Sequence, residues 1–216
     1  MNSPTYFIGK SARIAETLWR QIPKLQTVVD PCERRYLFTG SPGLGKSDLA
    51  ERLAADLTGD SFERVHARMS LSVEVVNGQS MSVDIVRGWR SRGHYKPMFG
   101  NCWVIVADEI DAASPQALME LRSYLDALPI ATIFLATTNK TVAELPETLQ
   151  SRFKVQFFEA IPDAEMFDWL VGTYNLPASY ARKVVAGAKG NARAAKTDAL
   201  SWLESQPVAE GVRTPE

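Results

Sequence analysis

Two hydrophobic patterns alternate along roughly the first three quarters of the chain. Apolar residues that recur every three or four positions predict helices at about residues 10–29, 45–57, 82–90 and 114–125. Pro23 is expected to kink or split the first of these helices. Short continuous apolar runs, typical of buried parallel strands, predict strands at about residues 36–38, 73–76, 103–107, 130–136 and 155–158. Strands that alternate with helices favour right-handed βαβ units, so we predict an α/β fold with a parallel sheet.

The pattern changes after Pro162. Helical spacing then predicts three helices at about residues 166–174, 180–188 and 192–203, separated by Pro177 and by Gly190-Asn191. We therefore expect an α/β domain over residues 1–162 and a small helical domain over residues 163–204. Residues 205–216 carry two prolines and no periodicity, and we expect them to form a flexible tail.

The composition is typical of a packed globular protein. Of the 216 residues, 45% are hydrophobic and 23% are charged, which is enough for a substantial core and excludes a disordered chain. The net charge of −1 excludes a polycation that coats nucleic acid. The two cysteines, Cys32 and Cys102, cannot build a disulfide scaffold or a metal cluster, which fits a reducing compartment. Because no apolar run approaches the ~20 residues of a membrane span and no signal peptide is recognisable, we expect a cytoplasmic protein with no membrane partner.

A glycine-rich stretch after the first predicted strand fits the pattern G-x-x-x-x-G-K-[ST] in full. Its residues are Gly40, Ser41, Pro42, Gly43, Leu44, Gly45, Lys46 and Ser47. Glycines let backbone N–H groups wrap a β-phosphate, and the next helix adds its N-terminal partial positive charge. Lys46 is predicted to reach the β- and γ-phosphates, and the Ser47 hydroxyl to bind Mg²⁺. The alternative is a plain flexible turn, which the flanking strand and amphipathic helix disfavour.

An acidic pair, Asp108 and Glu109, closes the apolar run over residues 103–107. In open α/β sheets, ligands bind beyond the carboxyl ends of the strands, where this pair is expected to lie. We predict that Asp108 holds Mg²⁺ through water and that Glu109 polarises an attacking water. The alternative is an ordinary acidic turn that also includes Asp111. The phosphate loop upstream favours the first interpretation, and ATP with Mg²⁺ is the predicted ligand.

With these motifs in this order, the sequence from about residue 6 to residue 203 resembles the AAA+ ATPases and, within them, the clamp-loader subunits. Phe7-Ile8-Gly9-Lys10 is similar to the family's box near the adenine, which implies that Ile8 and Gly9 bind nucleotide. Asn139 is similar to sensor 1, a residue that orients the water or touches the γ-phosphate. Arg193 in Gly190-Asn191-Ala192-Arg193 resembles sensor 2, which couples a lid helix to the nucleotide of the same subunit.

The resemblance also implies an oligomer. Residues 145–153 are similar to the clamp-loader stretch that carries a Ser-Arg-Cys arginine finger, with Phe153 in place of the cysteine. Arg152 would then enter the site of a neighbouring subunit in a homo- or hetero-oligomer joined through ATP-bridged interfaces. The family further implies a five-stranded sheet in the order 5-1-4-3-2, a helical lid, and action on DNA or a DNA-replication protein. Clamp-loader subunits carry a collar domain after the lid, which we expect this chain to lack.

A basic and aromatic stretch extends from Ile85 to Ala107 without an acidic residue. Its candidate nucleic-acid contacts are Arg87, Arg90, Arg92 and Lys96. The alternative is a solvated helix face with Trp89 in the core. Residues 95–100 could instead form an aromatic pore loop, which would favour a protein-remodelling ATPase. A third possibility is an ATP-gated assembly subunit with negligible turnover, which the retention of Glu109 disfavours.

Overall fold

The predicted strands form one parallel sheet in the computed structural model, which describes residues 7–206. Their bounds are β1 Arg35–Thr39, β2 Val73–Asn77, β3 Trp103–Asp108, β4 Thr132–Thr138 and β5 Lys154–Phe157. The order across the sheet is β2-β3-β4-β1-β5, and every neighbouring pair is parallel. Read from the opposite edge, this is the predicted order 5-1-4-3-2, which is confirmed.

The register of the sheet brings the carboxyl ends of four strands together. Thr39 of β1 pairs with Thr138 of β4, and Asn77 of β2 pairs with Asp108 of β3. Residues that directly follow these strands therefore leave the sheet at one edge, as parallel pairing requires. The glycine-rich loop, the acidic pair and Asn139 all emerge at this edge.

Helices cover both faces of the sheet. Their bounds in the first part of the chain are α1 Lys10–Leu25, α2 Lys46–Thr58, α3 Phe62–His66, α4 Val83–Arg92, α5 Pro115–Asp126 and α6 Glu147–Gln150. Apolar residues of α1 and α2 pack on one face, with Leu18, Leu49 and Leu53 nearly inaccessible. The other face packs against α4 and α5 around Trp89 and Tyr124. Each face thus buries its own apolar layer, as a parallel sheet needs.

The helix ends show where local sequence rules hold. The hydroxyl of Ser82 accepts a hydrogen bond from the Ile85 amide at 3.3 Å, and that of Ser114 accepts one from the Ala117 amide at 3.2 Å, so both serines cap the helices that follow them. Helix α1 ends at Leu25 rather than near residue 29, and Pro23 lies within its last turn without splitting it. Two β-branched valines and an Asp-Pro pair follow, which disfavour a longer helix.

The chain divides into two compact units, Met1–Glu159 and Ala160–Glu216. Helices of the second unit are α7 Asp163–Tyr174, α8 Ala178–Ala188 and α9 Ala192–Ser205. They bury Met166, Leu170 and Ala181 among one another. The division at residue 162 and the tail over residues 205–216 stay predictions, and most of that tail lies outside the described residues. Between residues 7 and 206, no helix is both long and apolar enough to cross a membrane.

Candidate nucleotide-binding site

The glycine-rich loop links β1 to α2 through a backbone that needs its glycines. Gly40, Gly43 and Gly45 have φ values of 141°, 79° and 85°, in a region that L-residues rarely adopt. A Cβ on Gly40 would also lie 2.3 Å from the carbonyl oxygen of Phe158. The loop therefore lies against the chain just after β5 and leads directly into the N-terminus of α2. Successive amides ahead of a helix N-terminus form an anion-binding arrangement.

The side chain of Lys46 lies over this loop. It is 6% exposed, and its Nζ donates hydrogen bonds to the carbonyls of Gly40 at 2.7 Å and Ser41 at 2.8 Å. A third bond reaches Asn139 Oδ1 at 2.9 Å. Asn139 comes from the end of β4, so the fold joins two residues that are 93 positions apart in the sequence. Lys46, the predicted phosphate contact, and Asn139, the predicted sensor 1 residue, are thus hydrogen-bonded to each other.

Three oxygen-bearing side chains converge beside Lys46. The hydroxyls of Ser47 and Thr137 each donate to Asp108 Oδ1 at 2.5 Å, and the Thr137 hydroxyl also accepts from the Glu109 amide at 3.0 Å. Hydroxyl and carboxylate oxygens are hard ligands of the kind that Mg²⁺ prefers, together with phosphate and water. The set of Ser47 and Asp108 therefore fits the predicted metal. Thr137 holds Asp108 in place, a role that the sequence did not indicate.

Two amide side chains hold the Glu109 carboxylate. Asn139 Nδ2 donates to Oε1 at 3.2 Å, and Asn77 Nδ2 approaches Oε2 at 3.5 Å. The backbone of Glu109 is left-handed, with φ of 51°, which is costly for a non-glycine residue and is often found at functional sites. A Cβ on Gly78 would lie 2.1 Å from the Glu109 carbonyl oxygen, so a glycine is required there. The orientation of Glu109 is thus fixed from both neighbouring strands.

The first turn of α1 and the segment before it reach the same loop. The Ser11 hydroxyl donates to the Leu44 carbonyl at 3.2 Å, and the ring of Phe7 lies 3.5 Å from where a Cβ on Gly45 would be. Gly9 has φ of 65° and directly precedes α1. Ile8 and Gly9 therefore lie between Phe7 and Ser11, the two residues that contact the phosphate loop. Their contact with an adenine stays a prediction.

Arg152 forms a two-pronged ion pair with Asp126 at the end of α5. Its Nε and Nη2 each donate to one carboxylate oxygen at 2.8 Å, and its Nη1 donates to the Thr148 carbonyl. The hydrogen bond between the two side chains lowers the pKa of Asp126 and raises that of Arg152. Of the five N–H groups of a guanidinium, residues 7–206 engage three, which leaves two for another partner.

Arg152 lies toward the starting ends of the strands. Two residues later in the chain, Lys154 pairs with Tyr36, which is four residues before Gly40. At ~3.3 Å per strand residue, roughly 13 Å of sheet separates that pairing from the phosphate loop. This position does not bring Arg152 to the loop of its own subunit. Arg193, in the second unit, is exposed in the first turn of α9, and its role stays a prediction.

Carboxylates from outside the basic stretch pair with its arginines. Arg87 and Arg90 lie 3.8 Å and 3.5 Å from Glu120 on α5, and Arg92 forms an ion pair with Glu74 on β2. Trp89 is 2% exposed and belongs to the core, as the alternative interpretation expected. Lys96 is exposed. In the following loop, Tyr95, Met98 and Phe99 are 73%, 83% and 58% exposed.

The family described as AAA domain (dynein-related subfamily) matches residues 35–153. The replication factor C small subunit of Thermoplasma acidophilum is 31% identical over 145 residues, which are 66% of this chain and 43% of that protein. That of Archaeoglobus fulgidus is 30% identical over 132 residues, 60% of this chain and 39% of that protein. The chain thus spans about two fifths of these relatives.

Solved structures share the fold. The RuvB Holliday junction branch migration motor of Thermotoga maritima superposes with a TM-score of 0.65 at 17% identity, covering 94% of this chain and 66% of that one. The structure of C. elegans PCH-2 gives a TM-score of 0.63 at 15% identity, with 91% and 62% covered. At these identities the likeness shows a common fold.

Proposed function

The chain belongs to the AAA domain family, and on this premise we propose that it binds ATP with Mg²⁺ at the phosphate loop and hydrolyses it. One observation carries the proposal: Lys46, Ser47, Asp108, Glu109 and Asn139 form one hydrogen-bonded network where β1, β3 and β4 end. Each has the chemistry that its proposed role requires. The retained Glu109 disfavours an assembly subunit with negligible turnover.

The proposed reaction follows from these positions. The loop amides, the N-terminus of α2 and the Lys46 ammonium bind the phosphates. Ser47 and, through water, Asp108 would hold Mg²⁺, which would supply positive charge to neutralise the phosphate oxygens. Glu109, oriented by Asn77 and Asn139, accepts a proton from the attacking water. The water oxygen forms a bond to the γ-phosphorus while the bond between the γ-phosphorus and the bridging oxygen breaks, giving ADP and phosphate.

Assembly completes the proposed site. Arg152 is remote from its own phosphate loop along the sheet, and it retains two N–H groups after pairing with Asp126 and Thr148. We assign it to the site of an adjacent subunit, where a guanidinium stabilises the charge on the transferred phosphoryl group. Arg193 is proposed to couple the second unit to the nucleotide of its own subunit.

We propose that the chain uses ATP hydrolysis as clamp loaders do, to act on DNA or on a DNA-replication protein in the cytoplasm. Support comes from the replication factor C small subunits, which match about 60–66% of this chain. Arg87, Arg90, Arg92 and Lys96 are the proposed DNA contacts. A second candidate is a protein-remodelling ATPase, which the exposed Tyr95, Met98 and Phe99 favour.

Replacing Lys46 tests nucleotide binding. We expect Lys46→Ala to weaken ATP binding about 10–100-fold in calorimetry, because a charge-assisted hydrogen bond contributes about 1.5–3 kcal/mol. Lys24→Ala, which removes an exposed lysine paired with Glu33, is the matched control and should bind ATP normally. Unchanged affinity in Lys46→Ala would contradict the phosphate-loop assignment.

Joint replacement of Arg87, Arg90 and Arg92 by alanine tests the proposed DNA surface. If each arginine meets a phosphate, DNA binding should weaken and the slope of log K against log salt should flatten by about 2–3 units. Fluorescence anisotropy with a labelled duplex or single strand, repeated at several salt concentrations, measures this slope.

A control for this triple variant removes three exposed arginines elsewhere, namely Arg13, Arg20 and Arg64. It should leave the slope within about one unit of wild type. An unchanged slope in the first variant, with intact folding, would place the DNA surface elsewhere. ATPase stimulation by unfolded protein that is lost on changing Tyr95 or Phe99 would favour the remodelling candidate.

A further inference from the structure

The last residue of α5, Asp126, carries a charge of the unfavourable sign for its position. Backbone carbonyls give the C-terminus of a helix a partial negative charge, so an aspartate there lowers the stability of the helix. Half of the Asp126 side chain is exposed, so packing in the core does not favour it either. The interaction that favours a carboxylate at this position is its ion pair with Arg152.

The Asp126 carboxylate fixes the orientation of the Arg152 guanidinium. Nε donates to Oδ1 and Nη2 donates to Oδ2, both at 2.8 Å, and two parallel bonds of this kind define the plane of the guanidinium. The Arg152 side chain is only 16% exposed, although arginine is usually a long, mobile surface side chain. The hydrogen bond with Arg152 lowers the pKa of Asp126, so Asp126 is ionised at neutral pH. The pair therefore holds the guanidinium in one orientation within a single subunit.

The backbone next to each member of this pair is anchored in the core. The ring of Phe153, the residue after Arg152, lies 6.1 Å from the ring of Phe134 and packs against the apolar layer under α4 and α5. At the end of α5, the buried Arg35 donates to the Leu125 carbonyl at 2.8 Å and so ties the helix end to the start of β1. The carboxylate and the guanidinium therefore both extend from fixed points of the first unit.

The ion pair leaves N–H groups of Arg152 available for a phosphoryl group. Nη1 donates to the Thr148 carbonyl and Nη2 to Asp126, so within residues 7–206 each terminal nitrogen keeps one further N–H. Two N–H groups on adjacent nitrogens can bind two phosphoryl oxygens at once. A guanidinium that is already oriented loses less conformational entropy when it forms these bonds.

We propose that Asp126 is a positioning residue, which orients Arg152 so that its two remaining N–H groups meet the γ-phosphoryl oxygens in the site of the neighbouring subunit. This inference rests on the proposed function, which assigns Arg152 to that site. The alternative is an autoinhibitory pair, in which Asp126 withholds Arg152 and must release it before hydrolysis. The two interpretations predict opposite effects on turnover when the carboxylate is removed.

Asp126→Asn tests the proposal, because the amide keeps the size of the side chain but removes its charge and one of its two acceptor oxygens. Above the assembly midpoint, we expect kcat to fall about 10–100-fold, as for a misplacement of about 1 Å, with KM for ATP nearly unchanged. Asp126→Glu, which restores a carboxylate, should recover most of the lost turnover. Glu16→Gln, which removes the carboxylate of an exposed ion pair with Arg20, is the matched control and should leave both constants unchanged.

Combining Asp126→Asn with Arg152→Ala separates positioning from a structural role. In the Arg152→Ala background there is no guanidinium to orient, so Asp126→Asn should cause no further loss in single-turnover hydrolysis. An equal loss in both backgrounds would show a structural effect and overturn the proposal.

The outcomes also distinguish this inference from the proposed function. Unchanged turnover in Arg152→Ala would overturn the assignment of Arg152, and the role of Asp126 with it. If Arg152→Ala lowers turnover but Asp126→Asn does not, only the positioning role is overturned. A rise in kcat for Asp126→Asn would show an autoinhibitory pair and would likewise overturn the proposal.

Discussion

Replacing Arg152 by alanine is expected to lower ATP turnover by about 10³–10⁵-fold while leaving ATP affinity nearly unchanged. An arginine supplied by a neighbouring subunit stabilises charge that develops only in the transition state, which accounts for effects of this size. In its own subunit, Arg152 forms its ion pair away from the phosphate loop, so the affinity of one subunit for ATP should not depend on Arg152. Turnover under saturating ATP and calorimetric affinity separate the two quantities.

Mixtures of two variant subunits show whether an arginine acts in the site of a neighbouring subunit or in that of its own subunit. A Lys46→Ala subunit has a defective loop but an intact Arg152, so it should restore some turnover to Arg152→Ala subunits. A partner that carries both substitutions provides the control, because it has no arginine to lend. An Arg193→Ala subunit should gain nothing from the Lys46→Ala partner through this interface. Absence of rescue in a mixture shown to co-assemble would contradict the assignment of Arg152.

The Glu109→Gln variant should bind ATP normally but hydrolyse it at least about 10²-fold more slowly. The amide keeps the size of the side chain and can still contact Asn139, yet it cannot accept a proton from water. Single-turnover hydrolysis with excess protein measures the chemical step, and nucleotide retention on a filter shows that binding persists.

Asp111→Asn is the matched control for Glu109→Gln. Asp111 belongs to the same acidic cluster but accepts a hydrogen bond from Thr138 at 2.7 Å and pairs with Lys140. Its amide variant should therefore hydrolyse ATP within a few-fold of wild type. Wild-type hydrolysis by Glu109→Gln would show that another group activates the water.

Residues adjacent to strand ends were predictable from the sequence. Asp108 and Glu109 close one apolar run, and the loop that leads to Lys46 follows another, and parallel strands place such residues at one edge of the sheet. The strand order came from the family resemblance, because hydrophobic runs alone do not say which strands are neighbours. Short elements such as α3 and α6 were missed, since helices of five and four residues show no periodicity.

Hydrogen bonds and ion pairs between residues that are far apart in the sequence could not be predicted from the sequence pattern alone. Thr137 and Asn77 orient Asp108 and Glu109 through pairings that only the sheet register creates. Likewise, Glu74 of β2 and Glu120 of α5 form ion pairs with arginines of the basic and aromatic stretch, and these pairs reduce the net positive charge of that surface. The ion pair of Arg152 with Asp126 arises in the same way, where α5 ends beside the segment before β5.

We propose that one subunit holds the phosphate loop and that its neighbour completes the site. Specific ATPase activity of the wild-type chain, measured from well below to well above its assembly midpoint, shows whether a single subunit is sufficient for turnover. We expect activity per subunit to rise steeply with concentration and to level off once assembly is complete, with Arg152→Ala flat across the range. Full wild-type turnover at concentrations where the chain is monomeric would contradict the account.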